Sequence, residues 1–218
     1  MWGCTVDKPY VVYGAKGSGS VPVEAALTLI GLPYEVVQWS PWENAEERER
    51  EARVNPMRQV PTLVLPTGEV MTESAAILMW LAEQHPEARL APPVGDPRRR
   101  AFLRWMTFIP ASIYSLYWIR DDPTRLAADQ PAVEVIQERT RERIAECWRI
   151  MDSQIEPGRY LLGEDLGVLD LYVTVVSRWT PRRERFYREA PKMAEVVRRV
   201  DAEPRLQDFW AERLPPED

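Results

Sequence analysis

Along the first 84 positions, short β-rich runs alternate with segments whose apolar residues have helical spacing, which predicts alternating strands and helices. Short runs rich in β-branched and aromatic residues indicate strands, and runs with helical spacing indicate helices. The predicted order is β-α-β-α-β-β-α, typical of an α/β domain. The strands are predicted at Tyr10–Tyr13, Tyr34–Trp39, Thr62–Leu65 and Glu69–Thr72, and the helices at Val21–Ile30, Glu43–Arg53 and Ser74–Gln84.

The second half of the chain shows helical spacing only, so we expect an all-α domain there. Pro110 lies inside the first of these helices and should kink it. Residues 85–97 contain four prolines and one glycine and predict a linker. The expected domains are therefore 1–84 and 98–218. The helices are predicted at Arg98–Ile119, Ala132–Ile155, Val168–Trp179 and Lys192–Ala202, with a short one near Leu206–Arg213.

Composition and charge mainly argue against certain classes of protein, such as nucleic-acid-binding and membrane proteins. Hydrophobic residues make up 45% of the 218 residues and charged residues 28%, which is ordinary for a globular protein with a real core. The net charge of −6 argues against general nucleic-acid binding. No stretch approaches 18 apolar residues, and the start of the chain has no long apolar run. We therefore expect a soluble, cytoplasmic protein that does not bind membranes.

Metal and disulfide chemistry are not indicated. Cys4 and Cys147 lie far apart and form no C-x-x-C pair, so neither a redox pair nor a zinc site is suggested. Cys147 falls in an amphipathic run and is expected to be a buried, small apolar residue. The single histidine, His85, makes a histidine-based metal site improbable.

A turn near residue 60 carries the most informative chemistry. Pro61 directly precedes a predicted strand, so Val60-Pro61 is a candidate cis peptide in a tight turn. Such a turn would leave the N–H and C=O of Val60 free to bind the backbone of a peptide-like ligand. Ser74 is a predicted N-cap, and a helix N-terminus attracts carboxylate. The pattern favours binding of a small, charged peptide, and the alternative is a hairpin and a capped helix without a ligand.

The strings N-P-x-x-x-V-P-T-L at residues 55–63 and E-S-x-A-I at residues 73–77 resemble the glutathione site of cytosolic glutathione S-transferases. The resemblance implies an N-terminal thioredoxin-like domain, a C-terminal helical bundle and a homodimer. It also implies that glutathione is a co-substrate, with no tightly bound cofactor and no metal. Nearly the whole chain fits the family's organisation, although the motifs are dense only between residues 55 and 77.

The same resemblance implies roles around the tripeptide. Val60 pairs with the cysteinyl backbone, Glu73 accepts from the γ-glutamyl ammonium, and Ser74 binds the γ-glutamyl carboxylate. Gln59 or Arg58 reaches the glycyl carboxylate, Arg58 being the better charge partner. The alternatives are a solvated turn residue for Glu73 and a solvated surface charge for Arg58.

Glutathione chemistry requires a thiolate, and lowering a thiol pKa by about two units takes roughly 2.7 kcal/mol. A hydroxyl donor contributes about 1.5–3 kcal/mol of this, so we expect one in the loop after the first strand. Ser18 is the leading candidate, and Ser20 and Tyr13 are the alternatives; Ser20 could instead cap the first helix. The loop lacks cysteine, which favours a serine-type transferase over the thioltransferase-like branches.

An electrophile pocket is expected to use aromatic residues, since flat apolar ligands bind such side chains. An aromatic stripe at helical spacing can equally belong to the core. The candidates are Trp105, Phe108, Tyr114, Tyr117 and Trp118 on the first long helix, Trp39 and Trp42 after the second strand, and Trp179.

Residues 161–171 resemble the family's buried helix-capping segment, in which a Ser or Thr N-cap precedes an Asp at N3. Here Gly167 takes the N-cap place and Asp170 remains. Glycine caps less well than serine, by only a few tenths of a kcal/mol. We expect Asp170 to be a structural cap and not a catalytic residue.

Three functions remain open at this point. The first is conjugation of the glutathione thiolate to an apolar electrophile. The second is other glutathione-dependent chemistry at the same site, as in an isomerase, dehalogenase, peroxidase or thioether lyase. The third is a non-catalytic interaction module that keeps the fold.

Overall fold

The computed structural model describes residues 8–39, 49, 52–179 and 182–214. The chain divides into two compact units, Met1–Ala88 with Glu203–Asp218, and Arg89–Ala202. Cys4, Trp42 and most of the predicted helix Glu43–Arg53 lie outside the described residues. The thioredoxin-like and all-helical fold class is confirmed.

The first unit contains a four-stranded mixed sheet with the order β2-β1-β3-β4. The strands β1 and β2 are parallel, and β3 is antiparallel to both β1 and β4. All four strands were predicted, and each differs from its predicted range by one residue at one end. They are β1 (Tyr10–Gly14), β2 (Tyr34–Gln38), β3 (Thr62–Val64) and β4 (Val70–Thr72).

Two helices of this unit, α1 (Val21–Ile30) and α2 (Ser74–Gln84), have the predicted bounds. Pro22 lies in the first turn of α1, where its missing N–H costs nothing. The two helices pack against each other and bury apolar side chains such as Leu27 and Ile77. This core supports the sheet from which the loops of the candidate site extend.

In its described part, the second unit consists of helices joined by loops, with one isolated bridge between Tyr160 and Gly163. Its helix α7 was not predicted, because the seven residues offer only Phe186 and Tyr187 as apolar positions. None of the described helices has both the length and the apolar character needed to cross a membrane. The helices are α3 (Arg99–Phe108), α4 (Ser115–Asp121), α5 (Gln130–Gln154), α6 (Val168–Val176), α7 (Arg183–Glu189) and α8 (Pro191–Asp201).

Pro110 interrupts the predicted helix Arg98–Ile119. The interruption is a π-helical segment, Ile109–Tyr114, between α3 and α4. Proline has no N–H to donate to the preceding turn and its ring clashes with the carbonyl four residues earlier. A locally wider turn relieves both problems, so the expected kink takes the form of a π-helical segment.

The helix α6 forms the centre of the second unit. Every one of its nine residues is buried, and it packs against α3 and α8. A helix that is apolar on all sides requires partners on all sides, which explains its central place.

Asp170, in the first turn of α6, bonds two backbone groups that precede the helix. Its Oδ1 accepts the Leu161 N–H and its Oδ2 accepts the Gly167 N–H, both at 2.8 Å. Burial raises the pKa of the Asp170 carboxyl to about 7, against the lowering effect of these bonds. The expected helix-start role of Asp170 therefore has a concrete structural basis.

Gly167 proves to be more than a weak substitute for a serine cap. A Cβ atom at this position would lie 2.8 Å from the Leu90 carbonyl oxygen. That carbonyl accepts the Val168 N–H at 2.8 Å, so it cannot move away without losing a hydrogen bond. The close approach of these two chain segments therefore requires glycine.

The last helix, α9 (Gln207–Arg213), belongs to the first unit. The sequence placed it with the helical domain, 98–218. The turn before it, Pro204–Leu206, packs against α1. The Gly17 N–H donates to the Arg213 carbonyl at 2.9 Å, so the last residue of α9 contacts the loop after β1.

Candidate functional site

Three predicted site segments meet at one end of the sheet. In the strand register, Tyr13 of β1 pairs with Thr62 of β3, which pairs with Thr72 of β4. The end of β1, the start of β3 and the end of β4 are therefore adjacent. The loop that contains Ser18, the Val60-Pro61 turn and the Glu73-Ser74 turn all extend from this edge.

The Val60-Pro61 peptide bond is cis, as predicted. Neither the N–H nor the C=O of Val60 forms a hydrogen bond within the part of the chain that the structure describes. Both groups are thus available to the backbone of an extended ligand, which they could bind in the manner of an added strand.

Asn55 holds the segment before this turn, a role that the sequence analysis missed. Its buried side-chain Nδ2 donates to the Gln59 carbonyl at 2.9 Å and to Thr62 Oγ1 at 3.1 Å. Its Oδ1 accepts the Met57 N–H at 2.9 Å. The signal was available in the sequence, because asparagine in turns commonly bonds the backbone two residues later.

Glu73 occupies the N-cap position of α2, and Ser74 is the first helical residue. The prediction that Ser74 is the N-cap was therefore wrong by one position, although the helix begins where expected. Glu73 is exposed and has φ 68° and ψ 101°, a conformation that costs a non-glycine residue about 1–3 kcal/mol. Such strain is concentrated at ligand sites, which favours a binding role for Glu73.

Gln59 and Arg58 both lie exposed before the turn. The Arg58 guanidinium is 2.8 Å from the Glu49 carboxylate, in an ion pair that is open to solvent. An exposed pair of this kind is worth about 0–1 kcal/mol, so a ligand carboxylate could compete for Arg58. The glycyl-binding role of either residue stays a prediction.

Ser18 and Ser20 are buried and 3.0 Å apart, measured between their hydroxyl oxygens. Ser20 is the N-cap residue of α1, but its side chain makes no capping bond. Its hydroxyl instead lies 2.6 Å from Glu24 Oε1. Gly14 makes room for this arrangement, since a Cβ there would collide with the Ser20 side chain.

The hydrogen bonds distinguish the two serines. A carboxylate only accepts, so the short contact assigns the Ser20 proton to Glu24; the other acceptor, the Ala15 carbonyl, is 3.4 Å away. Ser18 Oγ accepts the N–H groups of Ala15 and Ser20, each at 3.2 Å, and must donate in the contact with Ser20 Oγ. Both protons are thus engaged, but Ser20 donates to a carboxylate and Ser18 only to a neutral hydroxyl, so the Ser18 proton is the easier of the two to redirect to a ligand.

Tyr13, the third candidate for thiol activation, lies on β1 opposite Thr62 and is half-buried. Its position at the shared edge of the sheet is compatible with the site. The hydrogen bonding at Ser18 nevertheless favours the serine, because the Ser18 hydroxyl is held by two backbone donors.

The aromatic pocket candidates have different surroundings. Trp39 and Trp105 are each 2% exposed, and Trp105 packs edge-on against Phe108. Trp118 is 48% exposed, with the Arg125 guanidinium over its ring at 4.4 Å. The two tryptophans that are buried fit core residues as well as pocket residues, so their pocket role stays a prediction.

Tyr114 and Tyr117 each meet the Trp179 ring edge-on, with centroids 4.8 and 5.1 Å apart. The Tyr117 hydroxyl is buried, and no hydrogen bond to it is present among the described residues. Burial raises the pKa of this hydroxyl, so it stays protonated and can only act as a neutral donor or acceptor.

The described residues contain no group of three or more His, Cys, Asp or Glu side chains arranged to hold a metal ion. Cys147 is buried, as expected, and its Sγ lies 3.4 Å from the Ser112 carbonyl. Burial raises the pKa of the Cys147 thiol. Its thiol is therefore protonated at neutral pH and unreactive.

Comparison with known proteins shows which family the chain resembles. Residues 20–84 match the family model described as the glutathione S-transferase N-terminal domain. The uncharacterized GST-like protein YncG of Escherichia coli (strain K12) is 34% identical over 198 residues, which cover 90% of this chain and 95% of YncG. The glutathione S-transferase GstA of Escherichia coli O157:H7 is 24% identical, over 71% of this chain and 74% of GstA.

Among solved structures, a glutathione transferase homologue from Sulfitobacter, crystallised with bound glutathione, has a TM-score of 0.82 and 25% identity. The similarity covers 94% of this chain and 98% of that one. The identity and coverage shared with YncG, together with the matched domain and the geometry of the sheet edge, lead to one conclusion: this chain belongs to the glutathione S-transferase family.

Proposed function

We propose that this protein is a glutathione transferase that joins the thiolate of glutathione to an apolar electrophile. The Ser18 hydroxyl donates a hydrogen bond to the thiolate sulfur and keeps its proton, Val60 binds the cysteinyl backbone, and Glu73 with Ser74 binds the γ-glutamyl group. The sulfur attacks the electrophilic carbon as the leaving group departs with its electron pair, and the thiol proton passes to water.

The observation that carries this proposal is the convergence of three loops at one sheet edge. The register places the Ser18 loop, the turn at Val60 and the start of α2 side by side. A tripeptide thiol needs a backbone partner, a carboxylate site and a hydroxyl beside its sulfur. The three loops supply these groups.

Retention on immobilised glutathione tests the binding step. We expect the protein to bind glutathione-agarose and to elute with free glutathione. Complete flow-through would instead favour the interaction module. A panel of halogenated aromatics, peroxides, glutathionyl thioethers and cis-alkenes then tests the reaction, because the same glutathione site would serve a transferase, dehalogenase, peroxidase, lyase or isomerase.

Replacing Glu73 by glutamine should weaken glutathione binding at least tenfold, equivalent to about 1.4 kcal/mol. The substitution keeps the shape of the side chain but removes the charge that accepts from the γ-glutamyl ammonium. Isothermal titration calorimetry measures the dissociation constant. Glu69→Gln is the matched control, because Glu69 is an exposed carboxylate in the neighbouring hairpin. Equal constants for wild type and Glu73→Gln would remove Glu73 from the site.

The resemblance also predicts a homodimer, and the aromatic residues Trp39, Trp105, Phe108, Tyr114 and Trp118 are the candidates for the electrophile pocket. Both are part of the proposal. The family supports glutathione-dependent chemistry in general, and the electrophile is to be found by the substrate panel.

A further inference from the structure

A buried ion pair between Glu24 and Arg213 lies next to the loop serines, in contact with Ser20. Arg213 donates from Nε to Glu24 Oε2 at 2.5 Å and from Nη2 to Oε1 at 3.0 Å. Its Nη1 donates to Gln38 Oε1 at 3.1 Å. Glu24 is fully buried and Arg213 is 5% exposed, although the two are 189 positions apart in sequence.

Stability alone does not account for this pair. Removing two charges from water costs about as much as their attraction returns, and apolar residues of similar size often stabilise a protein equally well. The pair does have a specific neighbour, because Glu24 Oε1 also accepts the Ser20 proton. The position of the Glu24 carboxylate therefore influences which of the two serine hydroxyls can donate a hydrogen bond to a ligand.

We propose that Arg213 is a positioning residue for thiol activation and acts through Glu24. Arg213 fixes the Glu24 carboxylate where it accepts from Ser20, which leaves the Ser18 proton for the sulfur. Arg213 also cancels the Glu24 charge, which would otherwise oppose a thiolate. This inference rests on the proposed function, since it assumes that glutathione binds with its sulfur at Ser18.

The hydrogen-bond distances set the strength of the electrostatic effect. Glu24 lies one hydroxyl beyond Ser18, so a sulfur bonded to Ser18 would be about 9 Å from the carboxylate. At that separation and an effective dielectric constant of about 20, an unpaired charge shifts a thiol pKa by about one unit.

Among the described residues, Tyr34 lies within electrostatic range of both Glu24 and Arg213. Burial raises the pKa of Tyr34, whose hydroxyl contacts Thr28, and Glu212 lies within electrostatic range of the same tyrosine. Lys16 is exposed on the loop. Because a tyrosine hydroxyl with a raised pKa stays neutral below about pH 10, it does not titrate in the range used to test the proposal.

Arg213→Met and Glu24→Gln should shift the activation in opposite directions. Arg213→Met leaves a carboxylate near the sulfur, so the pKa of bound glutathione should rise by about one unit. Conjugation at about pH 6.5 should then fall about tenfold in kcat/KM, with little change near pH 9, where the thiol is ionised in both proteins. Glu24→Gln leaves the cation, so the pKa should fall. Ultraviolet absorbance of the bound thiolate measures both shifts directly.

The controls separate positioning from folding. Arg205→Met removes an exposed arginine from the same C-terminal segment and should leave the pH profile unchanged. The double variant Glu24→Gln/Arg213→Met removes both charges, so its thiol pKa should lie between those of the two single variants. The Gly17 N–H bond to the Arg213 main chain persists in every variant, so the effects report on the side chain.

The outcomes are distinct. A higher pKa of bound glutathione in Arg213→Met together with a lower one in Glu24→Gln supports the proposal. Equal losses at all pH values, or unchanged profiles in folded variants, would overturn it. If Arg213→Met does not fold, Glu24→Gln decides alone, and an unshifted thiol pKa in that variant refutes the proposal. A wild-type protein that binds no glutathione would instead refute the proposed function.

Discussion

Alanine at position 18 should lower kcat/KM for conjugation by about 10- to 100-fold at about pH 6.5. The Ser18 hydroxyl accepts from two backbone N–H groups, and its proton, which points to the neutral Ser20 oxygen, can be redirected to a ligand. A hydrogen bond to a charged acceptor is worth about 1.5–3 kcal/mol, and the thiolate loses this in the variant. Stopped-time assays over a range of pH measure the loss.

The pH dependence gives this prediction its specificity. The Ser18→Ala defect should shrink as the pH rises above the pKa of the free thiol, about 8.5, because the sulfur then ionises without help. Ser153→Ala is the matched control, since Ser153 is exposed on α5 and its hydroxyl donates to the Ile150 carbonyl of the same helix. Full activity in Ser18→Ala, with a loss in Tyr13→Phe instead, would transfer the role to Tyr13.

Asp170→Ala should reduce the free energy of unfolding by about 2–5 kcal/mol, because it leaves two backbone N–H groups, those of Leu161 and Gly167, without acceptors in the core. For a protein of this size the melting temperature should drop by about 5–15 °C. Glutathione binding measured below that temperature should be unchanged. Calorimetry with Asp165→Ala as an exposed-aspartate control tests this, and a wild-type melting temperature for Asp170→Ala would contradict the capping role.

The Asp170 carboxyl also predicts a pH effect on stability. Its pKa is about 7 in the folded protein and about 3.9 in the unfolded chain, so the folded protein binds more protons between these values. The stability it contributes is fully present below about pH 4 and is lost as the pH rises to 7. Relative to Asp170→Asn, which does not titrate, wild type should therefore lose stability over this range in urea unfolding.

Local signals explain how well the first unit could be predicted. Pro22 and Gly31 mark the two ends of α1, and the turn at Thr67-Gly68 joins β3 to β4. The cis Val60-Pro61 bond followed from proline preceding a strand. Each of these features depends on residues only a few positions apart, which is the range over which a single sequence is informative.

Contacts between residues that are far apart in the sequence could not be predicted from local signals. Nothing near Glu24 in the sequence indicates that its partner is Arg213. The requirement for Gly167 depends on the Leu90 carbonyl, which lies in what was predicted as a linker. The N-cap role was assigned to Ser74, one position too late, because serine is a common capping residue. The observed N-cap, Glu73, has a strained backbone conformation that residue propensities do not predict.

The return of residues 203–214 to the first unit makes that unit discontinuous along the chain. In connectivity, the helices of Arg89–Ala202 form an insertion within it. A fragment that stops at residue 84 would consequently lack Arg213 and leave the buried Glu24 carboxyl without its ion-pair partner. Proteolytic removal of the C-terminal segment should therefore destabilise the unit that contains residues 1–88. Adding the missing helix as a separate peptide should restore its stability.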